Sequence, residues 1–181
     1  YDLNIMRPDQ TLFDVTCNSL MGIKGVLEKE QPDLVLVQGD TTTTFVAALS
    51  AFYLKIPVGH VEAGLRSFNK FEPFPEEVNR SLTSHIADLH FAPTVAAKEH
   101  LLKEGVDQNK IWVTGNTVID ALLMVAKQLE GPETQARWDG YFLNKWGISF
   151  DSRRIVLVTG HRRESFGKGL ENICAALKQI A

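Results

Sequence analysis

Cysteine is scarce in this chain: of 181 residues only Cys17 and Cys174 carry a thiol. They stand far apart and both fall in helical patterns, so a reduced, cytosolic setting is the easier reading. Positive charge is not in excess. A formal net charge of −3 argues against the broad basic surface of a nucleic-acid binder. No apolar run is long enough to span a bilayer and no signal peptide opens the chain, so no membrane partner is expected. There is also no internal repeat and no low-complexity tract. The opening Tyr1-Asp2-Leu3-Asn4-Ile5-Met6 has neither an initiator methionine nor the first strand of an α/β domain. It reads as an internal cut, and the expectation is a piece of a longer protein missing material on both sides. What is present is a hydrophobic content of 44%, enough for one substantial core.

The stretch from Asp33 to Arg66 organises the rest. Val35 to Val37 form a short β-branched run, Gly39-Asp40 break it, Thr41 to Tyr53 carry a helix-length apolar face, and Pro57 to Val61 begin a second strand. This is a βαβ unit, whose strands should be parallel because the crossover is helical. Upstream, Thr11 to Glu30 reads as a helix weakened by Gly22 and Gly25. Downstream, helices are expected over Glu76–Ala87, Thr94–Glu104 and Val118–Glu130, the last capped by Asn116 or Thr117, with strands at Leu89–Ala92 and Ile111–Thr114. Residues 131–152 mix Gly, Pro, Asp and two tryptophans without a period and read as a linker. Arg154 to Thr159 reads as a strand and Leu170 to Ala181 as a helix. Strands alternating with helices predict a doubly wound, Rossmann-like α/β fold. The expected division is a first domain over 1–130, a linker over 131–152, and the start of a second domain over 153–181.

Ligands of open α/β sheets sit outside the carboxyl ends of the strands. Both central strands deliver a carboxylate there, Asp40 and Glu62. Taken alone, Asp40 reads as the N-cap of the following helix, accepting an amide hydrogen bond from Thr42 or Thr43. Glu62 follows His60 by two residues on an extended segment, which would turn both side chains to one side, while Gly59 and Gly64 allow close approach of backbone or ligand. A His-x-Glu pair can bind a metal, but no third ligand stands at a persuasive spacing, so no metal is expected. Glu76 and Glu77 follow Pro75 in an acidic first helical turn, and on local grounds both serve the helix dipole. The run Gly160 to Gly169 places His161, Arg162, Arg163 and Lys168 among three glycines between a strand and a helix N-terminus, an anion-binding arrangement. Acids on one side and cations on the other suit a nucleotide sugar.

The segments QGDTTTT (38–44), GHVEAGLRS (59–67), FPEEVNR (74–80), TGNTVIDAL (114–122) and VTGHRRESFGKG (158–169) closely resemble, in order, the non-hydrolysing bacterial UDP-N-acetylglucosamine 2-epimerases. The resemblance implies a glycosyltransferase-B-like pair of Rossmann-like domains, here truncated at both ends, that interconverts UDP-GlcNAc and UDP-ManNAc with no cofactor and as a homodimer. It implies Asp40, Glu62, Glu76 and His161 as catalytic residues. It implies Arg66, Arg80, Asn116, Arg162, Arg163 and Ser165 as substrate-binding, with Arg162 near the diphosphate or an adjacent regulatory substrate molecule. The family's amino-terminal GTRPE loop and its carboxyl-terminal uridine site fall outside the chain, so the isolated piece is expected to be inactive.

The chemistry that the resemblance implies explains such residues. UDP leaves C1 and a proton leaves C2, giving a 2-acetamidoglucal to which UDP adds back. The C2 hydrogen has no acidifying carbonyl, so C1–O cleavage runs ahead, carboxylates stabilise the developing cation, and one of them takes the proton. Beside two arginines, His161 is better placed to assist the departing diphosphate. A hydrolysing epimerase, a glycosyltransferase of the same architecture and a non-catalytic nucleotide-sugar binding module are the alternatives.

Overall fold

The computed structural model describes residues 1–150, 154–160 and 166–180. The periodic stretches become α1 (Leu12–Glu30), β1 (Val35–Gln38), α2 (Thr42–Tyr53), β2 (Val58–Val61), α3 (Glu76–Ile86), β3 (Leu89–Ala92), α4 (Val95–Lys103), β4 (Ile111–Val113), α5 (Thr117–Gln128), α6 (Pro132–Trp146) and α7 (Lys168–Ile180). Local chemistry sets several starts. The Thr11 hydroxyl accepts from the Asp14 amide at 3.2 Å while Asp14 accepts from the Thr11 amide at 2.8 Å, a reciprocal capping box for α1. Thr94 caps α4 and Asn116 caps α5 from one side only, each side chain accepting from a first-turn amide.

β1 to β4 form one four-stranded sheet in that order, parallel throughout. Val35 pairs with Val58, His60 with His90, and His90 with Ile111. Each step crosses by one helix, the arrangement expected of a Rossmann-like sheet. The core has two parts. Leu27, Val37, Ala48, Ala51 and Val58 join α1, α2, β1 and β2; Ala63, Ala92, Ala97, Leu101 and Ile111 join α4 to β3 and β4. Fully burying a side chain such as Leu101 or Val58 contributes about 1.5–3 kcal/mol. Because β1 ends at Gln38 and β2 at Val61 in parallel, Gly39-Asp40 and Glu62 leave the sheet at the same carboxyl edge.

Two expectations are corrected. Residues 131–152, expected to have no regular period, contain a helix: α6 fills most of the stretch, started by Pro132 in its first turn and stopped by Gly147 in the left-handed conformation at φ 65°. Its aromatics and the internal Gly140 hid the helical period. Residues 154–160 are apolar but form no strand, and Ile155 to Val158 are exposed. No strand among the described residues pairs with them, and an unpaired run gains no ladder of hydrogen bonds.

The chain divides into two compact units, one of Tyr1–Gly115 with Arg162–Ala181 and one of Asn116–His161. Among the described residues no helix is long and apolar enough to cross a membrane. Cys17 and Cys174 are free thiols at the surface.

Candidate active site

Asp40 does not cap α2. Thr41 does, its hydroxyl accepting from the Thr44 amide at 3.3 Å, and the Thr44 hydroxyl in turn donates to the Gln38 carbonyl at 2.6 Å. The threonine run thus supplies the cap one residue later and releases the Asp40 carboxylate. That carboxylate meets Arg80, whose Nη2 lies 2.5 Å from Asp40 Oδ2 and 3.1 Å from Glu62 Oε1. One guanidinium nitrogen therefore bridges the acids that leave β1 and β2.

Arg80 comes from α3, and its neighbour Asn79 donates from Nδ2 to the Asp40 carbonyl at 3.0 Å. Arg80 Nη1 donates to the Leu65 carbonyl at 3.4 Å, while its Nε is buried without a partner among the described residues. The Arg80 side chain is 10% exposed, against 24% for Asp40 and 22% for Glu62. The cation lies beneath and the carboxylates reach toward solvent, where a ligand would meet them. Positive charge under two close acids offsets part of their mutual repulsion in a setting where screening by water is weak.

Glu62 is not on extended backbone. It turns off β2 at φ 67°, a left-handed conformation that a side chain of this size rarely adopts and that costs about 1–3 kcal/mol. The alternation expected of His60 and Glu62 therefore fails: His60 is fully buried with its Nε2 on the Gly39 carbonyl at 2.7 Å, while Glu62 reaches Arg80. Burial pushes the His60 imidazole down to about 4, and the charges of His90, Arg80 and Arg66 act in the same direction against the hydrogen bond to Gly39. The flanking glycines make room for the protein itself rather than for a ligand. A Cβ on Gly64 would run into the Ala97 carbonyl, and one on Gly59 would meet Leu36 and Phe91.

Glu76, Asn79 and Arg80 lie three and four residues apart on α3, hence on one face, the face that Asn79 and Arg80 turn to Asp40. The Glu76 side chain makes no hydrogen bond or ion pair among the described residues and adds a third acid one turn before Arg80. Glu77 does more than serve the helix dipole. It is buried and accepts from the Ser67 and Phe68 amides, both at 3.0 Å, clasping the loop after β2 to α3. Its partners are backbone groups, which leave no sequence signature.

Arg66 is engaged elsewhere. Its Nε and Nη2 donate to the two Glu104 oxygens at 2.6 and 2.7 Å, and Nη2 also donates to Ser84 at 2.9 Å, with the Arg66 side chain 1% exposed. The structure does not bring it to Asp40 or Glu62. Asn116 accepts from the Val118 amide at 3.1 Å as the cap of α5, in the other compact unit. His161, Arg162, Arg163 and Ser165 lie outside the described residues. A cavity of about 320 Å³ between His85, His90, Glu104 and Lys110 opens where β3 and β4 begin, at the opposite sheet edge from the carboxylates.

A model of the family described as UDP-N-acetylglucosamine 2-epimerase matches residues 1–181. The chain is 52% identical to the UDP-N-acetylglucosamine 2-epimerase of Yersinia pestis and 50% identical to that of Escherichia coli K12, in each case over 100% of this chain and 47% of the relative. It spans about half the length of the curated relatives it matches. Among solved structures, the Neisseria meningitidis UDP-GlcNAc 2-epimerase bound to UDP-GlcNAc superposes with a TM-score of 0.92 at 47% identity, covering 100% of this chain and 48% of that one. The Methanocaldococcus jannaschii UDP-GlcNAc 2-epimerase in complex with UDP-GlcNAc and UDP gives 0.86 at 43% identity, over 99% and 47%. The fold is thus the glycosyltransferase-B-like, Rossmann-like α/β fold of these enzymes.

Proposed function

The chain belongs to the UDP-N-acetylglucosamine 2-epimerase family, and on that premise we propose that the protein carrying it interconverts UDP-GlcNAc and UDP-ManNAc without hydrolysis, with Asp40, Glu62 and Glu76 as its carboxylates. The observation that carries the proposal is the Arg80 bridge, which gathers Asp40 and Glu62 at the carboxyl edge of two parallel strands. Inverting C2 needs a group to take its proton and a group to return one to the opposite face, and a cluster of acids from separate elements supplies both. The C1–O bond breaks with its electron pair leaving on UDP, the C2 proton passes to a carboxylate, and a C1=C2 double bond results. Re-addition reverses each step, with protonation from the other face. Carboxylates lining the sugar also stabilise positive charge that builds at C1.

In this reading His161, Arg162, Arg163 and Ser165 hold the diphosphate, and the metal-free chemistry needs only acids, a base and anion-binding groups. The protein is cytoplasmic and acts as a homodimer. The test is product analysis with the full-length protein and UDP-GlcNAc alone. UDP-ManNAc in equilibrium with substrate supports the proposal; free ManNAc with UDP identifies a hydrolysing enzyme; no turnover without an added acceptor identifies a transferase.

A further inference from the structure

His60 is a buried imidazole that the proposed chemistry leaves unused. It lies in the middle of the sheet, 0% exposed, with Nε2 2.7 Å from the Gly39 carbonyl oxygen. A carbonyl can only accept, so Nε2 carries the proton, and Nδ1 is buried without a partner among the described residues. The Gly39 peptide is also held on its other side, because its N–H donates to the Val61 carbonyl at 3.0 Å. β2 therefore grips Gly39 at both polar groups. The next residue is Asp40, whose carbonyl is fixed by Asn79 at 3.0 Å, and this leaves its carboxylate little freedom beyond its own side-chain rotations.

A core histidine kept only for packing would be expected to satisfy itself wherever a carbonyl was at hand. His90, in register with His60 on β3 and 1% exposed, makes its backbone hydrogen bond to Ala87, just ahead of β3 and away from the turns that carry Asp40 and Glu62. His60 and His90 each leave Nδ1 buried without a partner among the described residues, and what sets His60 apart is that its Nε2 goes to the turn that carries Asp40. Resting on the epimerase reading of the site, we propose that His60 is a positioning residue, which holds the Gly39–Asp40 turn where the Asp40 carboxylate meets Arg80.

Three forms of the full-length protein test this: wild type, His60→Leu and His60→Gln. Leucine fills space without a donor, whereas the glutamine amide can donate at about the reach of Nε2. The expected result is a kcat about 100-fold lower in His60→Leu with KM little changed, the size typical of a misplaced catalytic group, and recovery of most of that loss in His60→Gln. Full kcat in the leucine variant, or a glutamine variant that melts like wild type yet is as slow as the leucine one, overturns the proposal. Should the leucine variant not fold, the imidazole ¹⁵N spectrum of wild type decides: a neutral Nε2–H tautomer is required, and an Nδ1–H tautomer overturns it. Absence of UDP-GlcNAc turnover in wild type counts against the epimerase reading alone, because the tautomer is measured without substrate.

Discussion

Arg80 Nη2 stands 2.5 Å from the Asp40 carboxylate, and it is this pairing, not a helix cap, that engages a residue with the sequence marks of one. The same nitrogen reaches Glu62, and Nη1 reaches the Leu65 carbonyl. Lysine offers a single ammonium and cannot make that fork. Arg80→Lys and Arg80→Met should therefore both lower kcat of the full-length enzyme, by about 100-fold, with lysine recovering little of the loss. Steady-state kinetics check this, and a lysine variant at full rate would show that only the charge matters.

Arg66 and Glu104 form a two-pronged pair with the arginine side chain 1% exposed. Removing Arg66 strands Glu104, which at 22% exposure keeps some contact with water, so the cost falls below the roughly 3–5 kcal/mol of a fully buried pair. Arg66→Ala should accordingly lower the melting temperature and leave KM for UDP-GlcNAc nearly unchanged. A raised KM at unchanged stability would instead support the substrate-binding role that the family resemblance implies for Arg66.

The parallel βαβ unit could be read from sequence because its signals are short in range: a β-branched run at Val35 to Val37, a glycine break, a helix-length apolar face and a second strand at Val58 to Val61. The capping error at Asp40 has the opposite cause. Cap preference is local, and the competing partner, Arg80, arrives from α3 only once the chain has folded. The left-handed turn at Glu62 was equally hidden, since a periodicity of two assumes extended backbone. Its place in a first helical turn marks Glu77 as a dipole partner, but its real partners are two amides of the Ser67-Phe68 loop.

That clasp can be weighed directly. Glu77→Ala takes the carboxylate acceptor from the Ser67 and Phe68 amides, whose residues are exposed enough for water to replace it in part, so each lost bond costs about 0.5–1.5 kcal/mol. Glu77→Gln keeps one acceptor oxygen and should lie between wild type and alanine. Denaturant unfolding of the three forms gives the order, and an alanine variant as stable as wild type would show that the loop is held by other contacts.

His60 predicts a pH dependence. Its ordinary value is 6.5 and burial lowers it to about 4 in the folded chain. Between those values the unfolded chain binds a proton that the folded chain refuses. The stability that depends on His60 is therefore complete above about pH 6.5 and is lost as pH falls toward 4, by on the order of 3 kcal/mol. Melting temperature measured from pH 7 to pH 5 should fall, and His60→Gln should fall less steeply. Identical slopes would contradict a depressed His60.

The carboxylate cluster is tested most directly by turnover in heavy water. The full-length protein, given UDP-GlcNAc in D₂O, should yield UDP-ManNAc with deuterium at C2, because the proton returned there comes from a carboxyl group that exchanges with solvent. Asp40→Asn and Glu62→Gln keep the shape of the site and remove a charge and a proton acceptor, so each should slow that incorporation by roughly two to four orders of magnitude while substrate affinity falls much less. Product without deuterium at C2, or incorporation at the wild-type rate in both amide variants, would contradict the role assigned to Asp40 and Glu62.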